Sequence, residues 1–167
     1  MKRLYCIAMI FFLIQNTYAE HKFNLDFSFN KYSVGYQLAL EKIPFKSKIS
    51  LGVSNQDINS EFDDFYFDFQ FSRNIIEFSH SNIYGSITPG IYFANNDYYD
   101  VNMFYWGFDI GYEYSFLENH IVYIESGYLS GKKDFIQNYN NEVISVSTRE
   151  NLILLPFNFV IGYGFNF

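Results

Sequence analysis

Apolar and polar residues alternate along most of the chain. The clearest segment carries an aromatic side chain at every second position, namely Phe65, Phe67, Phe69 and Phe71, with Asp68 and Gln70 among the residues between them. A period of two residues is typical of a β-strand with one apolar and one polar face. The pattern recurs over residues 23–29, 36–41, 48–54, 64–71, 87–93, 106–114, 122–128 and 157–167, which predicts eight strands. Residues 74–81 are ambiguous in this pattern, and ten strands remain an alternative.

The composition explains what such strands face. Aromatic residues make up 23% of the chain, with 21 Phe and 16 Tyr, yet the mean hydropathy is only -0.07. Beyond the N-terminal segment no apolar run is long enough for a membrane-spanning helix. Aromatic residues mixed evenly with polar ones suit a sheet with one face in lipid and the other in water. The sequence therefore predicts an all-β, antiparallel transmembrane β-barrel over residues 20–167. A soluble β-sandwich would not explain why one strand carries a phenylalanine at every second position.

The first nineteen residues predict a cleavable signal peptide. Lys2 and Arg3 form a basic start, residues 4–14 form an apolar run, and Thr17-Tyr18-Ala19 provides small residues at the cleavage positions. Cys6, the only cysteine in the sequence, lies within this segment. The mature chain is therefore expected to contain no disulfide and no cysteine-based metal site.

Glycine and proline add constraints on the barrel. Seven glycines fall on the polar parity of the predicted strands, where an eight-stranded barrel has little room: Gly52, Gly90, Gly107, Gly111, Gly127, Gly162 and Gly164. Pro89 and Pro156 cannot donate a backbone hydrogen bond, and a closed barrel has no edge strand to accommodate them. We expect a bulge or a strand end at each proline.

The last six residues, Gly162-Tyr163-Gly164-Phe165-Asn166-Phe167, carry a recognisable motif. They resemble the C-terminal assembly signal of bacterial outer-membrane proteins, with Gly162, Tyr163, Phe165 and Phe167 as its matching positions. Val160 departs from this pattern, which prefers a polar residue there. With the predicted leader and strand number, the chain resembles the small-barrel group that includes the opacity proteins, OmpX and the membrane domain of OmpA. The resemblance implies insertion by the barrel assembly machinery into the outer membrane of a Gram-negative bacterium.

The polar parity predicts a network of charged groups inside the barrel: Asp26, Glu41, Lys48, Asp64, Asp68, Asp109, Glu113 and Glu125. Lys48 is the one cation that the pattern assigns to this face. Enclosed carboxylates must be paired, hydrated or protonated, because an unpaired buried charge is costly. The network is expected to form a hydrogen-bonded plug with tyrosine hydroxyls and water. The alternative is a narrow, cation-preferring channel.

The connections differ in length, as in outer-membrane barrels. Short turns such as Ile43-Pro44 and residues 117–119 are expected on the periplasmic side, whereas residues 55–61, 94–100 and 131–150 are expected to form outer loops. The first outer connection, residues 31–33, is very short. Lys132, Lys133 and Arg149, in or beside the longest loop, are candidate contacts for lipopolysaccharide phosphates. The apolar residues of this loop indicate either strand extension beyond the membrane or a partner-binding surface, for a host or envelope protein.

Catalysis and cofactors find little support in the sequence. His80-Ser81-Asn82 superficially resembles an element of lipid A deacylase barrels, but adjacent strand residues point to opposite faces. No catalytic residue, cofactor or metal site is therefore predicted. The net charge of -7, without any cluster of basic residues, argues against nucleic acid. We expect a non-enzymatic outer-membrane protein that serves envelope integrity or surface interaction. The alternatives are the channel and, second, an enzyme that modifies lipid A.

Overall fold

A computed structural model describes residues 19–40, 43–55, 64–96, 99–140 and 145–167. The nine strands are β1 (Ala19–Phe27), β2 (Lys31–Leu40), β3 (Lys46–Ser54), β4 (Asp64–Glu77), β5 (Ser81–Asn96), β6 (Tyr99–Leu117), β7 (His120–Asn140), β8 (Ser145–Ile153) and β9 (Phe157–Asn166). The predicted signal peptide, except Ala19, lies outside the described residues, as does Glu41. Among the described residues, no helix has the length and apolar character needed to cross a membrane.

Eight of these strands close into an antiparallel barrel. Strands β1 to β7 pair in sequence order, β7 pairs with β9, and β9 pairs with β1, from Lys22↔Asn166 to Phe27↔Ile161. The predicted eight-stranded, all-β barrel is confirmed. The ten-stranded alternative is wrong, because residues 74–81 contain the end of β4, a tight turn and the first residue of β5. In this turn the amide of Phe78 donates to the carbonyl of Ser81 at 2.8 Å.

Strand β8 lies outside the closed ring. It pairs with the second half of β7, from Lys132↔Ile153 to Asn140↔Ser145, and the two form a hairpin that continues past the barrel. Most of the long loop expected at residues 131–150 is therefore a pair of strands, in agreement with the alternative of strand extension. The end of the barrel that carries this hairpin is called the hairpin end below. The opposite end, which holds Ala19 and Phe167, is called the terminal end.

The two prolines behave differently. Residues 154–156 separate β8 from β9 along the chain, so Pro156 lies just before a strand, as expected. The amide of Leu129 donates to the carbonyl of Pro156 at 2.8 Å and continues the ladder across the break. Pro89 lies inside β5 opposite Trp106, and its expected bulge is absent from this part of the described chain. The β4–β5 pairing stops at Asp68↔Gly90 and resumes at Phe71↔Ile87 without a shift of register, so the ladder tolerates the missing donor locally.

Side chains alternate between the two faces as the sequence predicts. The outer face is apolar and exposed; for example, Leu51 is 59% and Phe104 67% exposed. The inner face is buried and largely polar. One expected connection is wrong, because residues 31–33 do not form a loop. The chain reverses at residues 28–30, where the amide of Ser28 donates to the carbonyl of Lys31 at 2.8 Å, and Lys31 and Ser33 face the lumen.

Four lumenal tyrosines lie against glycines of the neighbouring strand. The directly paired residues are Gly52↔Tyr66, Gly90↔Tyr105, Gly111↔Tyr84 and Gly162↔Tyr123. A Cβ atom at any of these glycines would overlap the tyrosine ring. The glycines on the polar parity therefore provide the space in which these rings pack across the narrow lumen.

Candidate functional site

The structure places the predicted lumenal residues on the inner face of the barrel. Six of them are buried, namely Asp26, Lys48, Asp64, Asp109, Glu113 and Glu125. Asp68 lies half-buried on the same face. Glu41 falls outside the described residues, so its position is not part of the site below.

Asp26 forms the centre of the first cluster. The Lys48 ammonium lies 3.2 Å from its Oδ2 atom, and the Ser33 hydroxyl donates to the same oxygen at 2.9 Å. The Tyr123 hydroxyl of β7 reaches over Gly162 of β9 and donates to Asp26 Oδ1. All four side chains come from different strands, β1, β2, β3 and β7. Barrel closure is therefore required to assemble this cluster.

Glu113 forms the centre of a second cluster toward the terminal end. Its carboxylate accepts hydrogen bonds from Lys46 at 2.5 Å, from Asn82 at 3.0 Å and from Lys22 at 3.3 Å. The ion pair with Lys22 joins β6 to β1, and the two residues are 91 positions apart in the sequence. Both side chains are only 7% exposed, so this ion pair lies inside the barrel. Two lysines thus form ion pairs with one carboxylate.

The expectation of a single lumenal cation is wrong. Besides Lys48, the structure places Lys22 and Lys31 inside and Lys46 at the terminal mouth. Lys22 lies one residue before the alternating segment 23–29, and Lys46 lies two residues before the segment 48–54. Extending the period-two pattern by one or two residues at these strand starts would have found both. Lys31 was assigned to a loop and lies five residues before the segment 36–41, so this extension would not have reached it.

Lys31 is held by aromatic rings. Its ammonium lies 5.4 Å from the centroid of the Tyr66 ring and 5.7 Å from that of Tyr105. Such cation–π contacts stabilise a desolvated ammonium group. Among the described residues, Lys31 forms no ion pair within 4.0 Å, unlike the other three lumenal lysines.

The remaining lumenal carboxylates accept hydrogen bonds from neutral donors. Tyr92 donates to Asp64 at 2.5 Å, and Tyr105 donates to Asp68 at 3.1 Å. Asp109 accepts from the Asn158 amide at 2.7 Å. Glu125 accepts from two groups, the Gln70 amide at 2.9 Å and the Tyr84 hydroxyl at 2.7 Å.

Little open space is left between these groups. A cavity of about 40 Å³ lies in the middle of the lumen, and one of about 10 Å³ lies between the Asp26 and Glu113 clusters. At the hairpin end, apolar and aromatic side chains pack together inside the barrel: Tyr66, Tyr92, Ala94, Met103, Tyr105, Leu129, Leu152 and Leu154. Larger cavities of about 340 and 430 Å³ open at the terminal mouth. The described part of the lumen is a packed plug with small polar cavities.

The residues of the C-terminal motif line the terminal end. Tyr163 and Phe165 contact His120 of β7, with 2.5 Å between the Tyr163 hydroxyl and His120 Nδ1 and 5.2 Å between the ring centroids of His120 and Phe165. Phe167 stacks on His21 of β1 at 6.0 Å. Gly162 faces the lumen against Tyr123. The motif therefore sits at the seam where the last strand meets both of its neighbours.

The three predicted loop cations separate onto two faces of the β7–β8 hairpin. Lys132 and Arg149 lie on the outer face, where Asp134 is 3.9 Å from the Lys132 ammonium and 3.1 Å from Arg149 Nη2. Lys133 lies on the opposite face, in register with the buried Leu152. This separation follows from the alternation of side chains in β7 and β8, because adjacent strand residues point to opposite faces. The sequence analysis included strand structure in this segment only as an alternative to a loop.

The histidine–serine pair considered for catalysis lies in the β4–β5 turn. His80 is exposed and Ser81 is the first residue of β5, paired with Tyr114. Within the described ranges, no group of three or more His, Cys, Asp or Glu side chains is placed to hold a metal ion. The lumen is therefore the main polar site that the described chain builds.

Comparisons with known proteins add little. No protein-family profile matches the chain, and no curated protein matches it. Among solved structures, the chain is similar to a major outer membrane protein from Thermus thermophilus, with 9% identity and a TM-score of 0.46 over 90% of this chain and 100% of that chain. The fold and the site rest on the chain's own geometry.

Proposed function

We propose that the chain is a small, non-enzymatic outer-membrane β-barrel with a closed lumen, which serves envelope integrity or surface interaction through its hairpin end. The observation that carries the proposal is the inverted distribution of side chains: apolar residues are exposed around the barrel, whereas charged residues are buried inside it. A soluble protein rarely exposes a continuous apolar surface of this kind. Lipid around the barrel removes the free-energy cost of exposing these apolar side chains to water.

Membrane insertion is tested by export in a Gram-negative host, followed by fractionation and electrophoresis of boiled and unboiled samples. We expect the protein in the outer-membrane fraction, with a mobility that shifts on boiling because the closed hydrogen-bonded ring resists detergent. A soluble protein without a mobility shift would contradict the membrane-inserted barrel. It would also contradict the assignment of residues to the lumen and to the lipid-facing surface.

Surface interaction is proposed for the outer face of the β7–β8 hairpin. Lys132 and Arg149 extend from the same face as the exposed apolar residues of the barrel and lie just beyond Tyr128 and Phe157. Arg149 is 78% exposed at its side chain and therefore accessible to an anionic head group. The lipopolysaccharide phosphates are suitable ligands, because guanidinium and ammonium groups form strong charge-assisted hydrogen bonds with phosphate.

This contact is tested with protein refolded in vesicles with and without lipopolysaccharide. The wild-type protein is expected to unfold at a higher temperature when lipopolysaccharide is present, and the double variant Lys132→Gln/Arg149→Gln is expected to lose this difference. Lys133→Gln removes one positive charge from the opposite face and serves as the control for the loss of a cation from the hairpin. Equal behaviour of the double variant and the control would contradict the proposed contact.

A further inference from the structure

The cavity of about 40 Å³ in the middle of the lumen has an unbalanced lining. Four carboxyl groups border it, those of Asp26, Asp68, Asp109 and Glu125, together with the ammonium groups of Lys31 and Lys48. When all six groups are ionised, the lining carries an excess of two negative charges. Asp26 is paired with Lys48 at 3.2 Å. The excess therefore resides on Asp68, Asp109 and Glu125.

These three carboxylates have no cationic partner within 4.0 Å among the described residues, and their hydrogen bonds come from tyrosine, asparagine and glutamine side chains. One oxygen of each, Asp68 Oδ1, Asp109 Oδ2 and Glu125 Oε2, accepts none of these bonds. Neutral donors orient a carboxylate but do not cancel its charge. A positive charge in the cavity would do so.

Two buried hydroxyl groups of the lining provide an independent indication. Ser50 is 2% and Thr88 7% exposed, and both border the cavity. Neither Ser50 Oγ nor Thr88 Oγ1 has a hydrogen-bond partner in the described chain. Buried polar atoms are nearly always satisfied by protein, water or a ligand. Hydroxyl oxygens next to carboxylate oxygens form a donor set suited to a hard cation.

We propose that this cavity binds an alkali-metal cation, Na⁺ or K⁺, together with one or two water molecules. The cavity has room for about three water-sized spheres, since each requires roughly 10–15 Å³, and an alkali cation is similar in size to water. No three carboxylates of the described residues are placed to hold one metal ion directly. The ion would therefore be held mainly by the hydroxyl oxygens and water, with the carboxylates balancing its charge, which suits a monovalent ion better than a divalent one. The cation would be resident in the plug and need not pass through it.

The test is refolding of the wild-type protein in detergent with NaCl, KCl or choline chloride at equal ionic strength, followed by thermal unfolding. Choline is too large for the cavity and controls for screening. We expect a higher unfolding midpoint in NaCl or KCl, rising with the logarithm of the cation concentration. Equal midpoints in all three salts would overturn the proposal and leave protonated carboxyl groups and water as the explanation. Stabilisation by CaCl₂ alone would overturn the assignment to an alkali cation.

Variants locate the site. Thr88→Val keeps the side-chain shape and removes the hydroxyl, and it is expected to weaken cation binding roughly tenfold. Asp109→Asn is expected to remove most of the dependence on cation. Ser72→Ala is the matched control, because Ser72 is a buried lumenal serine that borders the neighbouring cavity of about 10 Å³. Loss of cation dependence in Ser72→Ala but not in Thr88→Val would place the effect elsewhere.

The cation can also be detected directly in crystals of the wild-type protein, so this test does not require that the variants fold. Crystals of the wild-type protein grown in RbCl are expected to give an anomalous scattering peak inside the cavity bordered by Ser50, Thr88 and Asp109. A well-ordered lumen without such a peak would overturn the proposal.

Discussion

At the residue scale, the glycine–tyrosine pairs decide how the lumen is filled. A Cβ atom at Gly111 would lie 2.6 Å from the Tyr84 hydroxyl oxygen, which donates to Glu125 at 2.7 Å. The ring cannot move away without losing this hydrogen bond. We predict that Gly111→Ala lowers the free energy of unfolding by about 1–3 kcal/mol, as overpacking does in other interiors.

The matched control for this prediction is Gly85→Ala in the preceding strand. A Cβ atom at Gly85 would meet only Ile75 Cδ1, at 3.4 Å, which is an ordinary contact. The change in the free energy of unfolding should therefore stay within about 0.5 kcal/mol. Denaturant titrations of both variants in the same detergent provide the comparison, and equal destabilisation would show that lumenal packing is not the cause.

Glu113 tests the lumenal ion pairs at the same scale. Glu113→Gln keeps the shape of the side chain but leaves Lys22 without its carboxylate and Lys46 without its contact at 2.5 Å. We predict a loss of about 3 kcal/mol in the free energy of unfolding, because an unpaired buried charge remains. Glu77→Gln at the exposed terminal mouth is the control and should change little. A Glu113→Gln variant as stable as wild type would mean that the two lysines are sufficiently hydrated without their partner.

At the element scale, the β7–β8 hairpin extends beyond the closed ring. The ring closes through pairs up to Tyr105↔Gly131 and Tyr128↔Phe157, below the hairpin. Phe135 and Glu150 are directly paired, so a two-residue Asn-Gly turn can join them in place of residues 136–149. We predict that this shortened protein still folds and shifts mobility on boiling, since Leu152 and Leu154 remain in the apolar cluster. A protein that no longer folds would show that the hairpin contributes to closure.

At the scale of the whole molecule, the packed plug predicts that the barrel does not conduct ions. The cavities of about 40 and 10 Å³ are small, and Tyr84 and Tyr123 border the narrower one. Wild-type protein in a planar bilayer should show no stepwise conductance, whereas Tyr84→Ala/Tyr123→Ala should open a passage. Tyr36→Ala on the outer face is the control. Cation-selective conductance of the wild type that falls when Asp64, Asp68 or Glu113 is neutralised would favour the channel instead.

The sequence by itself determined which face most residues of the eight alternating segments occupy, and it predicted eight strands in the barrel with ten as the alternative. Both follow from local properties, because a strand alternates its side chains with a period of two and each face meets one kind of surroundings. The alternation can therefore be recognised from the sequence of each segment alone. The missing backbone donor predicted a strand end correctly at Pro156, but the same argument failed for Pro89, which lies inside β5.

Only the tertiary structure decided which lumenal groups meet. Tyr123 and Asp26 are 97 residues apart, and Lys22 and Glu113 are 91 apart, so their contacts depend on the closing of the ring and on the register of every intervening pair of strands. The same holds for the tyrosine rings that lie over glycines of the next strand. Alternation within a strand determines whether a residue faces the lumen. Its contacts there depend on the register between strands, which is a property of two paired strands and cannot be derived from either segment alone.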